Sequence, residues 1–545
     1  MPVKMHAEAH GEIHSERMPP RPNAMRLSEL LAGIELKKPL AEDEARREIS
    51  AVAYQSNHVT NGLAFFAMRG ETTDGNLYVF DAIARGASVI VSELPRPTFD
   101  ANGAVTTAEW RALTGKIPVP VEKRVVPSSV TWVQVAESRK ALSLASANFF
   151  HHPATALKMI GITGTSGKTT TSFLVDSILH AAGITSGLFG TVVYRTPVRE
   201  VHATNTTPES YEMQRFFAEL RDARAAAAVM EVSSHALSMD RLWGCHFDVA
   251  TFTNLTSDHL DYHKTIEEYF AAKRRLFEGT GAGKPAVAVI NRDDPHGKQL
   301  VGIAARTLTY GLTNGAQITT RKFDLAFSGL QFTVETPQGK IDVVSPLVGR
   351  INVYNILSAI GTALASGISP EQIEKGIAWL RSVPGRFERI DCGQPFLVIV
   401  DYAHTDDSLR KLLVTARELH PEGRIITLFG NGGDRDRTKR PAMGETAGRA
   451  SDLVVLTVDN PRSEDPLRTI NDCVVGVQRT RTPYRVEPDR ERAIAMAFDE
   501  ARPGDIVLLV GKGHETYQVM KEGPVHFDER EVARRLLHER GYGAG

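Results

Sequence analysis

The amino-acid sequence predicts an α/β protein built from parallel sheets that are covered by helices. From the stretch LKMIGIT onward, an apolar strand, a glycine-rich loop and a helix follow one another, and strands and helices continue to alternate. Near Arg386 another unit begins, with four apolar stretches, FLVIVDY, RIITLFG, DLVVLTV and DIVLLVG. Strands that are apolar throughout are typical of parallel sheets buried on both faces.

Length and composition are those of a multidomain globular protein. The 545 residues correspond to three or four domains at roughly 100–200 residues each. Hydrophobic residues make up 42% and charged residues 24%, and the formal net charge is -1. This balance does not favour a nucleic-acid or anionic membrane partner. No apolar run approaches the roughly 18–20 residues of a membrane helix, so small-molecule substrates are the expected partners.

Cysteine usage favours a reducing compartment. The three cysteines, Cys245, Cys392 and Cys473, are far apart and odd in number. They indicate neither a disulfide framework nor a zinc cluster. Because the first residues also lack an apolar signal core, we expect a cytoplasmic protein, and we expect it to be monomeric.

We expect a disordered tail followed by three domains. Residues 1–24 are polar, and His6, His10 and His14 stand there at helical spacing. They are either a metal site or, as we favour, part of a solvated tail. Residues 25–152 open with the helix-like MRLSELLAG, contain the strands LAFFAM and ASVIVS, and include an irregular insertion from Pro95 to Trp132. The second and third domains are expected at residues 153–383 and 384–545.

A glycine-rich loop between a strand and a helix predicts a phosphate site. Its backbone N–H groups and the helix N-terminus favour an anion, Lys168 reaches the β- and γ-phosphates, and Thr169 is suited to Mg²⁺. The alternative is a tight turn, and the loop alone fits kinases, GTPases, motors and ligases. The expected nucleotide contacts here are Gly164, Thr165, Ser166, Gly167, Lys168, Thr169 and Thr170.

Two further segments hold candidate metal ligands. Glu231 ends the apolar strand of AAAAVMEVSSHAL, where a carboxylate suits Mg²⁺, although a solvent-facing glutamate is the alternative. In FTNLTSDHLDYHKT, the residues Asp258, His259, Asp261 and His263 indicate a site or a polar loop equally well. Lys273 follows on a helix, and on its own it would be expected at the surface.

These segments together resemble the Mur ligases, the amide-forming enzymes of peptidoglycan synthesis. GTSGKTT, TTP, EVSSHAL, TNLTSDHLDYHKT, AAKRRLF, GRINVYN, GRFE, VDYAHT, GGDRDRTKRP and GKGHE occur in the family's order from about residue 26 to the C-terminus. The resemblance implies a uridine-binding first domain, a P-loop ATPase-like second domain and a Rossmann-like third domain. It also implies ATP, Mg²⁺ and an acyl-phosphate intermediate.

The resemblance assigns roles to single residues. Lys168, Lys273 and His259 would act in catalysis, with Lys273 carbamylated by CO2 so that it supplies oxygen ligands. Thr169, Glu231, His259 and Lys273 would hold the metal, and Asn352, Arg386 and Asp401 would contact the nucleotide. The UDP-linked acceptor would be bound by Tyr54, Ser56, Glu71, Thr72, Thr73, Thr206, Thr207, Ser233 and Arg241. Gln55 and Asn57 depart from the family's YDSR-like stretch, and Met239 stands where some relatives have glutamine.

The segment DNPR resembles the form found in the members that add meso-diaminopimelate to UDP-N-acetylmuramoyl-L-alanyl-D-glutamate. Arg462 is able to pair bidentately with the distal carboxylate that lysine lacks, and Glu515 is suited to the distal ammonium. The alternative is a turn with a surface arginine. The implied amino-acid contacts are Arg435, Asp459, Asn460, Pro461, Arg462, Gly511 and Glu515.

Three other functions are weighed against this one. A folylpolyglutamate synthase shares the implied fold but would lack the uridine domain and DNPR, and a lysine-adding ligase would lack Arg462. A non-catalytic nucleotide-binding regulator would be expected to lose Lys168, Glu231 or Lys273, and the chain keeps all three.

Overall fold

A computed structural model describes residues 24–70, 73–100, 104–313 and 315–543 of the chain. The expected tail with His6, His10 and His14 therefore lies outside the described residues, as do Glu71 and Thr72. Within the described part, every helix is too short or too polar to span a bilayer.

The first part of the chain forms a four-stranded parallel sheet in the order β3-β4-β5-β6. A short antiparallel pair, β1 and β2, lies beside it. The strands are β1 (Met25–Arg26), β2 (Glu48–Ile49), β3 (Val52–Ala53), β4 (Ala64–Ala67), β5 (Val89–Ser92) and β6 (Thr131–Gln134). The helices are α1 (Leu27–Leu30), α2 (Glu42–Ala45), α3 (Val79–Ala84), α4 (Ala108–Thr114) and α5 (Ser138–Phe149).

The expectation of an irregular insertion between Pro95 and Trp132 is confirmed only in part, since most of the described segment lacks regular structure but one α-helix interrupts it. The segment contains α4, and its last residues already belong to β6. Trp110 of α4 is fully buried, and its ring lies 5.9 Å from both Phe80 and Trp132. Val105, Ile117 and Val130 of the same segment are buried in that core as well, and the tryptophan contributes the largest apolar side chain among them.

The second part of the chain forms an eight-stranded sheet in the order β10-β9-β8-β11-β7-β12-β13-β14, parallel except for the β9–β10 edge, and a separate antiparallel sheet, β15-β16-β17. The strands are β7 (Lys158–Thr163), β8 (Ser186–Phe189), β9 (Val193–Arg195), β10 (Glu200–His202), β11 (Ala227–Glu231), β12 (Val249–Phe252), β13 (Val287–Asn291), β14 (Arg306–Tyr310), β15 (Asp324–Ala326), β16 (Gly329–Thr336) and β17 (Gly339–Ser345). The helices are α6 (Lys168–Ala181), α7 (Ser210–Asp222), α8 (Ser234–Ser238), α9 (Leu260–His263), α10 (Ile266–Glu278), α11 (Pro295–Lys298), α12 (Arg350–Ala365) and α13 (Pro370–Trp379).

Both faces of this sheet are buried, as its apolar strands require. Ile160 and Ile162 of β7 belong to one core, on the side of α6 and α12. Met159 of the same strand belongs to the other core, with α7 and α10. The alternation follows from the two-residue period of a strand, so the strand needs apolar residues on both of its faces.

The third part of the chain forms a six-stranded sheet in the order β18-β19-β23-β20-β21-β22, parallel except for the edge strand β18. The strands are β18 (Glu388–Ile390), β19 (Leu397–Asp401), β20 (Ile425–Asn431), β21 (Leu453–Val458), β22 (Tyr484–Val486) and β23 (Ile506–Val510), with a hairpin of β24 (Tyr517–Met520) and β25 (Gly523–His526). The helices are α14 (Asp406–Leu419), α15 (Lys439–Ala450), α16 (Pro466–Gln478), α17 (Arg490–Glu500) and α18 (Glu529–Glu539).

Candidate active site

The candidate site lies where the carboxyl ends of the parallel strands of two sheets face one cleft. The phosphate loop follows β7 and Glu231 ends β11 in the second sheet, while Asp401 ends β19 in the third. Open α/β sheets place their binding residues at this edge. The cleft has a volume of about 340 Å³ and is lined by residues of both sheets' loops.

The phosphate loop has the backbone that a phosphate cradle needs. Gly164 and Gly167 have φ values of 145° and 86°, which L side chains rarely adopt. A Cβ on Gly164 would also lie 1.9 Å from Thr253 Oγ1. The loop ends directly at the N-terminus of α6, so that backbone N–H groups and the helix dipole meet in one place.

Lys168 folds back onto the loop in this structure. Its Nζ donates to the carbonyl oxygens of Gly164 at 3.0 Å and Thr165 at 2.8 Å. Loss of hydration lowers the pKa of Lys168, and nearby Glu231 and Asp258 oppose that shift. These carbonyl contacts are ones that a phosphate would replace, since an anion is the stronger partner of an ammonium.

Glu231 is buried, so it is not the solvent-facing glutamate that the sequence left open as an alternative. Only 1% of it is exposed. Its carboxylate accepts hydrogen bonds from Thr169 Oγ1 at 3.1 Å and from Thr191 N and Oγ1 at 2.9 and 3.1 Å. Hydroxyl and carboxylate oxygens next to a phosphate loop are the donor set that Mg²⁺ prefers, so the residues present fit this ion.

Lys273 is buried, contrary to the expectation for an isolated lysine. It is 1% exposed, and its Nζ donates to Gly164 O at 2.8 Å and lies 4.5 Å from the centre of the Tyr269 ring. Burial, followed by the charge of Lys168, lowers the pKa of Lys273 well below its ordinary value. A lysine in this setting loses its proton easily and becomes a nucleophilic amine.

The histidine-rich segment is a packed cluster beside the loop. His259 has a left-handed backbone (φ 54°), and its ring contacts those of His235 and Tyr269. Burial lowers the pKa of His259 to about 4 despite the adjacent Asp258. Its imidazole is therefore neutral at physiological pH, which is the form that binds a metal.

Residues of the third sheet's loops reach the phosphate loop. Arg386 Nη2 donates to Thr169 Oγ1 at 3.4 Å. Asp401 accepts hydrogen bonds from Phe387 N at 2.7 Å and Ala403 N at 2.9 Å, and burial raises its pKa. His404 lines the same cleft. The structure thus brings Arg386 and Asp401 to one side of the cleft and the phosphate loop to the other.

Asn352 lies beneath the phosphate loop on α12. Its side-chain amide donates to Val348 O at 2.7 Å and accepts from Asn355 at 2.9 Å. A Cβ on Gly167 would lie 2.4 Å from Asn355 Oδ1. Asn355 therefore fits closely under the loop, although the sequence argument did not single it out.

Four of the expected acceptor residues form one connected group. Thr207 Oγ1 donates to Glu231 O at 2.8 Å and accepts from Ser233 N at 3.0 Å. Arg241 donates to Thr207 O at 3.0 Å, and Thr206 lies 3.2 Å from Thr191. The Sδ atom of Met239 lies 3.5 Å from Arg241 Nη2. Thr207 thus contacts the backbone of Glu231, and Thr206 contacts Thr191, which donates to the Glu231 carboxylate.

The other expected acceptor residues that the structure describes, Tyr54, Ser56 and Thr73, lie in loops that follow strands of the first sheet. Tyr54 donates to Glu212 Oε2 at 3.0 Å, and burial raises the pKa of Glu212 to about 7. Tyr54 and Gln55 border a small cavity together with residues of the second part of the chain. Ser56 begins a short 3-10 turn, and Thr73 lies 3.5 Å from the Tyr78 hydroxyl.

The loops after β20 and β21 bring two arginines together. Arg462 has a left-handed backbone (φ 51°) and donates to Gly433 O at 2.8 Å. A Cβ on Gly432 would lie 2.9 Å from Arg462 Nη1 and 3.6 Å from Arg435 Cγ. Burial, followed by the charge of Arg435, lowers the pKa of Arg462. Two guanidinium groups that lie close enough to repel each other form a site suited to a carboxylate.

The remaining amino-acid candidates surround a lysine that the sequence argument missed. Lys512 Nζ lies 2.6 Å from Glu515 Oε2 and 3.1 Å from Asn460 Oδ1. Asn460 also donates to Glu515 at 3.2 Å, while Asp459 Oδ1 lies 3.6 Å from Lys512. Pro461 and Gly511 contribute backbone to the same two loops. Lys512 lies between the two glycines of GKGHE, and this position was the signal that could have identified it.

Three family models match most of the chain. They are described as "Mur ligase family, catalytic domain" at residues 48–149, "Mur ligase middle domain" at residues 162–363, and "Mur ligase, glutamate ligase domain" at residues 385–513.

Curated relatives match over nearly their whole length. One from Solibacter usitatus is 48% identical over 521 residues, which are 95% of this chain and 99% of the relative. Another from Geobacillus kaustophilus is 42% identical and covers 91% of this chain and 96% of the relative. Both are named UDP-N-acetylmuramoyl-L-alanyl-D-glutamate--2,6-diaminopimelate ligase.

Solved structures agree with these matches. A structure of a ligase with that same name is 28% identical, covers 95% of this chain and 100% of its own, and has a TM-score of 0.63. A folylpolyglutamate synthase from Mycobacterium tuberculosis shares the fold over 68% of this chain, at 19% identity and a TM-score of 0.57. On these family matches and identities, the chain belongs to the Mur ligase family.

Proposed function

We propose that this chain is an ATP-dependent ligase that joins meso-diaminopimelate to UDP-N-acetylmuramoyl-L-alanyl-D-glutamate in the synthesis of peptidoglycan precursors. One observation carries the proposal: the phosphate loop shares a cleft with Arg386 and Asp401, and the two arginines Arg435 and Arg462 lie together on the loops of the same third sheet. The names of the relatives support the choice of substrates.

The reaction proceeds through an acyl phosphate. A carboxylate oxygen of the acceptor attacks the γ-phosphorus of ATP and ADP leaves. The amine of diaminopimelate then attacks the acyl carbon, phosphate leaves with the carbon–oxygen bonding pair, and the amine loses its proton. Lys168, Arg386 and the N-terminus of α6 offset the charge on the phosphoryl oxygens. No protein nucleophile is required.

The metal ligands of the proposal are Thr169, Glu231, His259 and Lys273. Mg²⁺ bound by them would supply positive charge at the phosphoryl oxygens. Lys273 contributes as a carbamate, formed when its neutral amine adds to CO2 and a proton is released. The buried amine with a lowered pKa supports this step, and the carbamate oxygens replace a cation that would repel the metal.

Specificity for the amino acid comes from a pair of opposite charges. Arg462, with Arg435 beside it, binds the distal carboxylate of diaminopimelate, and Glu515 binds the distal ammonium. Lysine has the ammonium but lacks the carboxylate. The acceptor is bound by Thr206, Thr207, Ser233 and Arg241, with Tyr54, Ser56, Glu71, Thr72 and Thr73 toward its uridine end.

The proposal includes a monomeric enzyme in the cytoplasm. The residues that the proposal assigns to the reaction all lie on this one chain. The three free cysteines, two of them buried, are compatible with a reducing compartment.

Phosphate release from ATP tests the proposal. The purified chain is mixed with the UDP-muramoyl dipeptide, Mg²⁺ and ATP, and meso-diaminopimelate, lysine and no amino acid are compared. We expect release that requires diaminopimelate and that is strongly reduced in Arg462→Ala. Release with lysine alone would retain the ligase and contradict the substrate, while no release with either amino acid would contradict the ligase.

A further inference from the structure

The amino-acid site contains a buried ammonium group that takes no part in the proposed reaction. Lys512 follows β23, and none of its side chain is exposed. Its Nζ lies 2.6 Å from Glu515 Oε2, 3.1 Å from Asn460 Oδ1 and 3.6 Å from Asp459 Oδ1. A buried ammonium is stable only where such oxygen atoms replace its lost hydration.

The backbone around Lys512 is fixed in place. The glycines on either side of it, Gly511 and Gly513, have φ values of 114° and 53°. A Cβ on Gly513 would lie 2.6 Å from Tyr402 Cβ, and one on Gly385 would lie 2.1 Å from His514 N. The loop therefore packs directly against the segments that carry Arg386 and Asp401. This close packing restricts movement of the backbone that carries Lys512.

Lys512 contacts the two side chains whose orientation matters most for a distal ammonium group. The side-chain oxygen of Asn460 accepts hydrogen bonds from Lys512 Nζ and from Val519 N at 2.8 Å. The side-chain nitrogen of Asn460 donates to Glu515 Oε2 at 3.2 Å. Glu515 thus receives two hydrogen bonds on the same oxygen, Oε2. Its other carboxylate oxygen is left for a ligand.

The formal charges around this site cancel only when Lys512 is counted. Arg462 interacts electrostatically with Arg435, Asp434, Asp459 and Glu515, and Lys512 pairs with Asp459 and Glu515. Three cations therefore face three anions. A ligand whose distal end is a zwitterion keeps that balance, whereas one with only a distal ammonium adds an uncompensated positive charge.

We propose that Lys512 is a positioning residue that determines amino-acid specificity: it orients Glu515 and Asn460 and balances the charge of the site, so that an amino acid with a zwitterionic distal end is bound in preference to one with a distal ammonium alone. This inference rests on the proposed function and deepens it. Without Lys512 the site would carry a net negative charge, which favours lysine over diaminopimelate.

The test compares Lys512→Met, which keeps the length of the side chain and removes its charge, with Lys512→Arg, which keeps the charge. Lys521→Met, in the exposed turn between β24 and β25, is the matched control. For each variant, kcat and KM are measured with diaminopimelate and with lysine at saturating ATP, and KM for ATP is measured separately. Thermal unfolding checks that each variant is folded.

In Lys512→Met we expect KM for diaminopimelate to rise and the preference for diaminopimelate over lysine in kcat/KM to fall by about tenfold or more, the size of a lost charged hydrogen bond. KM for ATP is expected to stay unchanged, and Lys512→Arg to keep most of the preference. A preference that is unchanged in Lys512→Met, or a parallel loss for both amino acids, would overturn the inference.

Two further outcomes separate this inference from the proposed function. If Lys512→Met does not fold, Lys512→Gln, which retains hydrogen bonding to both partners, takes its place; failure of both to fold would assign Lys512 to stability and overturn the inference. If the wild-type chain does not use diaminopimelate, the proposed function itself fails and the inference with it. Wild-type activity with an unaltered preference in the variants would reject the inference alone.

Discussion

Lys273 is a buried lysine whose surroundings disfavour its charged form. It forms no ion pair within the described part of the chain, and Gly164 O accepts its hydrogen bond. Burying an unpaired ammonium is costly, and proteins relieve that cost by releasing the proton. Conversion to a carbamate would remove this ammonium and place a negative charge beside Lys168.

We therefore expect wild-type protein equilibrated with ¹³C-bicarbonate to show one carbamate carbon signal by NMR, and Lys273→Arg to lack it. The guanidinium remains protonated and does not add to CO2. Lys284→Arg, an exposed lysine, is the matched control and should keep the signal. An active wild-type protein without a carbamate signal would contradict the proposed role.

Sequence reasoning located candidate residues where strands end, because strand ends in a parallel sheet share one edge. The phosphate loop and Glu231 were identified in this way, whereas Asp401 and the DNPR segment were assigned through the resemblance to the Mur ligases. Thr191 was not identified, since a threonine in a loop carries no periodic signal, and Lys512 was missed although its position between the two glycines of GKGHE could have indicated it. Burial was also invisible: only the folded structure shows that Lys273 and Glu231 lie inside.

Among the structural elements, the two loops that bear Arg435 and Arg462 are held together by a buried arginine at the start of α15. Arg440 is 1% exposed and pairs with Glu464 at 2.7 Å and Asp472 at 3.0 Å. It also donates to Gly432 O at 3.1 Å. Glu464 in turn accepts from Asp434 N at 3.1 Å, so one ion-pair network connects both loops.

This network predicts a pH dependence of stability. Hydrogen bonding by Arg440 lowers the pKa of Glu464 from 4.5 to about 2. Because the folded-state pKa is the lower one, the stabilising contribution is fully present above the unfolded-state value and is lost as the pH falls toward 2. Urea unfolding of wild type and Glu464→Gln is therefore expected to show a difference in unfolding free energy that is constant above about pH 5 and shrinks as the pH falls from about 5 toward about 2.

Glu422→Gln, at an exposed position, is the control, and its difference from wild type should stay small across the same range. A constant difference between wild type and Glu464→Gln at every pH would contradict the network.

The elements themselves were largely predictable where their pattern is long. Apolar runs such as that of β21, all six residues of which are buried, are unmistakable in sequence. The short pieces were not: the expected helix from Met25 is instead the strand β1 followed by α1, because two residues pair with β2 before the helix begins. The helix α4 was missed because one tryptophan accounts for its docking.

At the scale of the whole molecule, loops of the second and third sheets contact each other across the cleft. Arg386 reaches Thr169, and Thr256 Oγ1 donates to Asp407 Oδ2 at 3.2 Å. Loops on separate sheets must meet for phosphoryl transfer and part for product release. We therefore expect opening and closing of this contact in each turnover.

Bridging Thr256→Cys to Asp407→Cys with a short thiol-reactive linker tests that expectation, in a Cys392→Ser background because Cys392 is the half-buried cysteine. The bridged double variant is expected to lose turnover and to regain it when the bridge is cleaved, while each single variant treated alike keeps its own rate. A bridged protein that turns over at the unbridged rate would rule out obligatory opening.

The account depends above all on the formation of one amide bond. Mass spectrometry of the nucleotide product, after incubation with ATP, Mg²⁺, the UDP-muramoyl dipeptide and equal amounts of diaminopimelate and lysine, observes that bond directly. We predict a UDP-muramoyl tripeptide that contains diaminopimelate. A product that contains lysine would contradict the proposed function. So would an acceptor that remains unchanged although ATP is still present.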